Sequence, residues 1–272
     1  MSYCYRVKQV LVLSIVLAIP GPWSSQAFAQ QSVRWAGNIS AGAFLDAARL
    51  GAKEMPSPEA AVAGPGSPAG PQDTASPPGL PALGKWMIDK NGAVAHWLGV
   101  PDPHNGLAMD EPINVILRID AGSPQEAQQK LLAAAAAAGF TLRNHHSSGY
   151  SAMIDHRSAP QFPDMDGYAF SDGTYLLPNN HGRVFGPVLW EGRYYFTAAL
   201  SRETINPERI IDHSVVYHLY SSFVRARDRF SSRMVDAKRA RISGYVDLDN
   251  RMSSGPQSTG DHDGKAVVLD LN

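Results

Sequence analysis

Apolar and polar positions along the chain fall into regular patterns only from Trp86 onward. Trp86 to Asp89 and Ala93 to Leu98 flank Lys90-Asn91-Gly92, and Asn-Gly between two apolar runs predicts a β-hairpin. Ile113 to Ile119 alternates and is rich in β-branched residues, which predicts a strand. Ser123-Pro124-Gln125-Glu126 supplies an N-cap, a proline suited to the first helical position and the Glu of a capping box. The helix they open runs through Leu131, Leu132 and a run of alanines to a Gly139 cap.

Phe140 to Arg143 reads as the next strand. Residues 144–167 read as loop with a short extended piece near Met153-Ile154, and Tyr168 to Leu177 as extended. Arg183 to Trp190 and Arg193 to Leu200 form a second hairpin around Glu191-Gly192. A last helix is expected from near Ser214, with Val216, Leu219, Phe223, Phe230 and Met234 on one face and Arg225, Arg227, Arg229 and Arg233 on others. A further strand is compatible with Ile242 to Leu248. The order predicts an α+β fold: a mainly antiparallel sheet with two principal helices on one face. The helix between 113–119 and 140–143 suggests a ferredoxin-like βαβ element.

The regions outside this patterned part read differently. Arg6 and Lys8, an apolar core from Val10 to Ile19 and Ala27-Phe28-Ala29 have the form of a cleaved signal peptide over residues 1–29. Its apolar run is about half of the roughly 20 residues that span a bilayer. The expected mature chain therefore has no transmembrane span, and its expected location is the periplasm or the extracellular space. Residues 30–55 read as weakly structured, and 56–82 as a Pro/Ala/Gly-rich linker. A domain over 83–250 and a polar tail over 251–272 complete the organisation.

The chain carries 24 basic and 25 acidic residues, a balance that excludes a nucleic-acid partner as the main one. Its one cysteine, Cys4, lies in the signal, so neither a disulfide framework nor a cysteine zinc module is available. Loss of residues 1–29 removes Arg6, Lys8 and Cys4, leaving 22 basic and 25 acidic groups.

No standard catalytic motif occurs. The densest chemistry is Asn179-Asn180-His181-Gly182-Arg183, where His181 and Arg183 share one side of a strand and suit a carboxylate or phosphate. The competing reading is a structural corner with Arg183 paired to Asp228 or Glu203. His218, Arg225 and Asp228, spaced by seven and three on the expected helix, make a companion face. The ligand-binding set is thus Asn180, His181, Arg183 and Arg225, and the catalytic candidates are His181, His218 and Asp228. The first reading is a binding domain for a small anionic or lipid-derived ligand or an envelope partner. The second is a cofactor-free hydrolase in which Asp228 orients a histidine base.

Weaker patterns are also present. Asp164, Asp166 and Asp172 are compatible with a loose calcium site, although the twelve-residue EF-hand spacing fails. His145-His146-Ser147-Ser148 places a base beside a hydroxyl, and Asp261-His262-Asp263-Gly264 resembles an acidic turn. His213 and His218 do not chelate one ion from a common helix. No resident metal or cofactor is expected.

Some of these residues carry a family likeness. Glu111-Pro112-Ile113-Asn114-Val115-Ile116-Leu117, with the helix ending in Ala138-Gly139-Phe140, resembles the start of the LssY-like C-terminal domain. Asn180-His181-Gly182-Arg183-Val184-Phe185 is similar to that family's His-x-Arg strand. Tyr195 to Arg202 looks like its next strand, and His213 to Asp228 like its His-containing stretch ending in Arg-Asp. The likeness covers residues 108–235. That family has no established activity and often occurs fused or adjacent to membrane and lipid-phosphatase-like proteins, which implies an envelope association here.

Overall fold

The computed structural model describes residues 70–97, 108–205, 218–252 and 257–272. The signal peptide, the 30–55 segment, residues 56–69 of the linker, His213 and Ser214 lie outside the described residues. Among the described residues no helix is long and apolar enough to cross a membrane.

Two long strands organise the sheet: β9 (Asn179–Trp190) and β10 (Arg193–Ile205). They run antiparallel through Glu191 and Gly192, whose φ values of 45° and 81° are those of a mirror-image hairpin turn. β10 pairs on its other edge with β4 (Val115–Ile119), and β4 pairs in parallel with β14 (Lys265–Leu271). β12 (Ala240–Asp247) closes that edge against β14. Beyond β9 the sheet continues through β7 (Arg157–Phe162), β6 (Ser151–Ile154), β2 (Leu83–Gly84) and β1 (Thr74–Ala75). β5 (Thr141–Arg143) reaches the sheet only through β8 (Ala169–Ser171), which pairs with β9. β11 (His218–Ser222) pairs with the end of β10, and β3 (Ala108–Met109) with β13 (Gln257–Ser258) forms a separate two-stranded sheet.

The helices are α1 (Pro124–Ala137) and α2 (Phe223–Asp236). α1 begins as the capping signal dictates. Ser123 Oγ accepts from Glu126 N at 3.1 Å, and Glu126 Oε2 accepts from Gly122 N at 2.8 Å. Leu131 and Ala135 of α1, with Phe230 and Met234 of α2, share one apolar core with Leu117, Phe196, Leu200 and Leu269. A second core, containing Leu83, Ile116, Ile154, Phe185, Ala199 and Val268, lies against the opposite side of the same strands.

This overturns the α+β expectation. The described residues are mostly β-sheet, 45% strand against 16% helix, curled into a nine-strand mixed half-barrel. Among the described residues no ferredoxin-like βαβ unit exists, because β4 takes β14 as its parallel neighbour and β5 pairs with β8. β9 is bulged at Gly186, which adopts φ 125° opposite a register shift in β10. A Cβ there would stand 2.8 Å from Tyr195 O, so the bulge requires glycine.

Three other expectations change. The last helix starts at Phe223, not near Ser214: residues 218–222 hydrogen-bond to β10 as a strand, and Ser222 caps the helix by accepting from Arg225 N. Residues 70–82, read as linker, are tied down by Lys85 N donating to Asp73 O and by burial of Leu80 and Ala82. The stretch from Arg251, read as a polar tail, supplies β14 between β4 and β12, with Ala266, Val267 and Leu269 fully buried. It also anchors α2, since Asp261 accepts from Tyr220 Oη, Ser222 Oγ and the first helical N–H, that of Phe223.

Candidate functional site

Strand alternation decides which candidate residues can meet. Across β9 and β10, His181 pairs with Ser201, Asn179 with Glu203 and Arg183 with Ala199, and these share the side that carries the second core. Asn180 pairs with Arg202 and Gly182 with Leu200 on the side that carries the helices. At Gly182 a Cβ would stand 2.5 Å from Ala199 O, so the close approach of the two strands between His181 and Arg183 requires glycine.

The side away from the helices holds a buried polar network. Glu203 is its hub: Asn179 Nδ2 donates to Oε1 at 2.7 Å, His218 Nδ1 lies 2.8 Å from the same oxygen and His181 Nδ1 3.7 Å. Burial opposes ionisation of Glu203, yet these imidazole and amide partners hold its carboxyl down at about 2. His181 is the converse case, pushed down to about 3 chiefly by desolvation, and it stays a neutral imidazole. Its Nε2 lies 3.5 Å from Ser201 Oγ.

His146 stacks on His181 with centroids 4.8 Å apart and is itself pushed down to about 4, burial again leading. Arg183 donates to Ser147 Oγ at 2.8 Å, lies over the Tyr150 ring at 5.5 Å and approaches Glu111 Oε2 at 4.0 Å. Burial raises the Glu111 carboxyl against the pull of that guanidinium. Glu111, His146, His181, Arg183, Glu203 and His218 are therefore mutually interacting titratable groups in one region.

The helix side holds an open cleft of about 570 Å³, lined by Asn180, Arg202, Arg225, Asp228, Arg229 and Ser232. Arg225, Arg229 and Ser232 fall at i, i+4 and i+7, hence on one face of α2. Asn180 is buried and fixed from behind: Asp172 Oδ1 accepts its N–H and Oδ2 its Nδ2, both at 2.8 Å. Among the described residues, Asn180 Oδ1 has no hydrogen-bond partner. Nearby carboxylates include Asp228, 2.8 Å from Arg227 Nε, and Asp172, 3.7 Å from Arg229 Nε.

The expected patch is thus divided. His181, Arg183 and His218 meet on one side, and Asn180, Arg225 and Asp228 on the other. Asp228 does not orient His181, and Glu203 occupies that place. His218 reaches Glu203 from β11 and not from the α2 face, so the spacing of seven and three does not build a site. The 145–148 stretch acts as cover, with His146 on His181, Ser147 on Arg183 and Ser148 donating to Asp166 at 2.5 Å. Asp166 and Asp172 are engaged separately, and among the described residues no three His, Cys, Asp or Glu side chains are placed to hold a metal ion.

Sequence reasoning named Asn179, Glu203 and His146 but did not join them to one network, and it did not single out Glu111 as a site residue. The available signal was parity: Ala199, Ser201 and Glu203 continue one side of the strand beyond Leu200, where the apolar pattern ends. Compared with known proteins, the chain matches no family model, no curated protein and no solved structure.

Proposed function

We propose that this chain is an exported, envelope-associated binding domain that holds the phosphate or carboxylate group of a small ligand in the arginine-lined cleft. The observation that carries the reading is the convergence of Arg202 from β10 with Arg225 and Arg229 from α2 around buried Asn180. Guanidinium groups bind such anions through paired, charge-assisted hydrogen bonds. Buried Asn180 lies among these arginines in the lining of the cleft. The likeness to the LssY-like C-terminal domain supports the envelope setting, and the signal-like N-terminus supports export.

Calorimetric titration of the full chain with inorganic phosphate, and separately with dioctanoyl phosphatidic acid, tests the reading. Saturable binding is expected. Charged hydrogen bonds contribute about 1.5–3 kcal/mol each, so Arg225→Gln and Arg229→Gln should each weaken binding by about tenfold or more. A lipid source is indicated if phosphatidic acid binds much more tightly than free phosphate, and a soluble anion if it does not. Absence of saturable binding to both, or binding unchanged in both variants, overturns the proposal.

A further inference from the structure

A second cavity of about 310 Å³ lies beside the second core, and its lining includes Lys90, His96, Ser147, Ser148 and Tyr150. Cavities of this size accept small ligands. His96 Nδ1 lies 2.6 Å from Asp110 Oδ1, where Asp110 is fully buried and the His96 side chain is 47% exposed. The pair is set by backbone geometry: His96 and Asp110 are bridge partners, Trp97 N donates to Met109 O, and Glu111 N to Ala95 O. With Nδ1 occupied by the carboxylate, Nε2 is the nitrogen left for the cavity that the ring lines.

Burial lifts the Asp110 carboxyl to about 6 against the pull of His96. The other charges facing the imidazole are Asp89 and Lys90 from the hairpin turn and Glu111 from the neighbouring segment. Arg183 joins this cavity to the buried network, because its partners Ser147 and Tyr150 both line the wall.

The geometry points to a general acid–base site in this cavity that hydrolyses small acyl esters, with His96 as catalytic residue and Asp110 as its positioning residue. His96 Nε2 takes a proton from water as the water oxygen bonds to the ester carbonyl carbon. The tetrahedral oxyanion re-forms the carbonyl and expels the alkoxide, which leaves as the alcohol with the proton returned from His96. Water is the nucleophile, with Ser148 held by donating to Asp166 and Ser147 held by accepting from Arg183. Lys90 lines the same wall and supplies a cation for the developing oxyanion.

The probe is p-nitrophenyl acetate with the full chain. Saturable turnover is expected, reduced at least tenfold in His96→Gln. Asp110→Asn should lower kcat with little change in KM and shift the pH–rate profile, and Asp110→Glu should restore part of the rate. His96 is half-exposed, so His96→Gln keeps the test open if an Asp110 variant fails to fold. A rate that does not saturate, or that is unchanged in His96→Gln, overturns the assignment.

Discussion

The two sides of β9 and β10 carry polar residues from the same short run, yet they solve opposite problems. Toward the second core, Asn179, His181, Arg183 and Glu203 are buried and gathered into one polar network. Toward α2, Arg225 and Arg229 lie on an exposed helix face that lines the open cleft. A buried ionic group costs stability unless its partners are all in place, whereas an exposed guanidinium contributes little to folding. The difference separates side chains that hold the fold together from side chains available to a ligand.

The largest effect should come from the hub of the buried side. Glu203→Ala leaves Asn179 and His218 without their shared carboxylate and His181 without its nearest counter-charge, and should cost about 3–5 kcal/mol in urea unfolding. A loss under 1 kcal/mol would mean that the network is not what holds β9, β10 and β11 in register.

Next in size is a pH dependence confined to the buried groups. His146, His181 and His262 are pushed down to about 4, 3 and 3, so in the folded state each takes up its proton later than in the unfolded chain. Their contribution to stability is complete above pH 6.5 and is lost as pH falls toward 4. The carboxyls of Asp110 and Glu111 are raised and oppose this in the same window. The three imidazoles outnumber the two carboxyls, so stability should fall as pH drops from 6 to 5. Glu203 adds its own loss only below its ordinary range, as pH falls toward 2. Urea unfolding at pH 7, 6 and 5 checks the slope, and a flat or inverted profile would show that the imidazoles are not held neutral.

The smallest stability effect belongs to the exposed side. Arg225→Gln and Arg229→Gln should each change unfolding free energy by less than about 0.5 kcal/mol, the usual range for surface positions.

Local elements were legible because their signals are local. Ser123, Pro124 and Glu126 cap α1, and Glu191-Gly192 turns the second hairpin, with no help from distant residues. The sheet order was not legible, because the place of β14 depends on a parallel pairing with β4 across about 150 residues of chain. Short apolar Val267 to Leu271 looked like the end of a tail until that pairing filled it in. β7 escaped notice because exposed Arg157, Ser158 and Pro160 and buried but polar Gln161 leave it without an apolar alternation.

The candidate site was half legible for the same reason. His181, Arg183 and His218 were identifiable as chemistry-bearing residues, and Asn180 and Arg225 as candidates for binding a ligand. Which of them face each other was not, since that follows from strand parity at β9 and from β11 taking residues that helical spacing had claimed. His96 and Asp110 gave no signal, because they are 14 positions apart and become neighbours only through a backbone bridge.

The most direct test of the division between the two sides is one pair of measurements on the Arg225→Gln/Arg229→Gln double variant: phosphate titration and urea unfolding. The predicted result is loss of detectable phosphate binding with an unfolding midpoint indistinguishable from that of the unmodified chain. Phosphate affinity retained in a variant that unfolds readily would contradict it, by placing the arginines in the fold and the anion elsewhere.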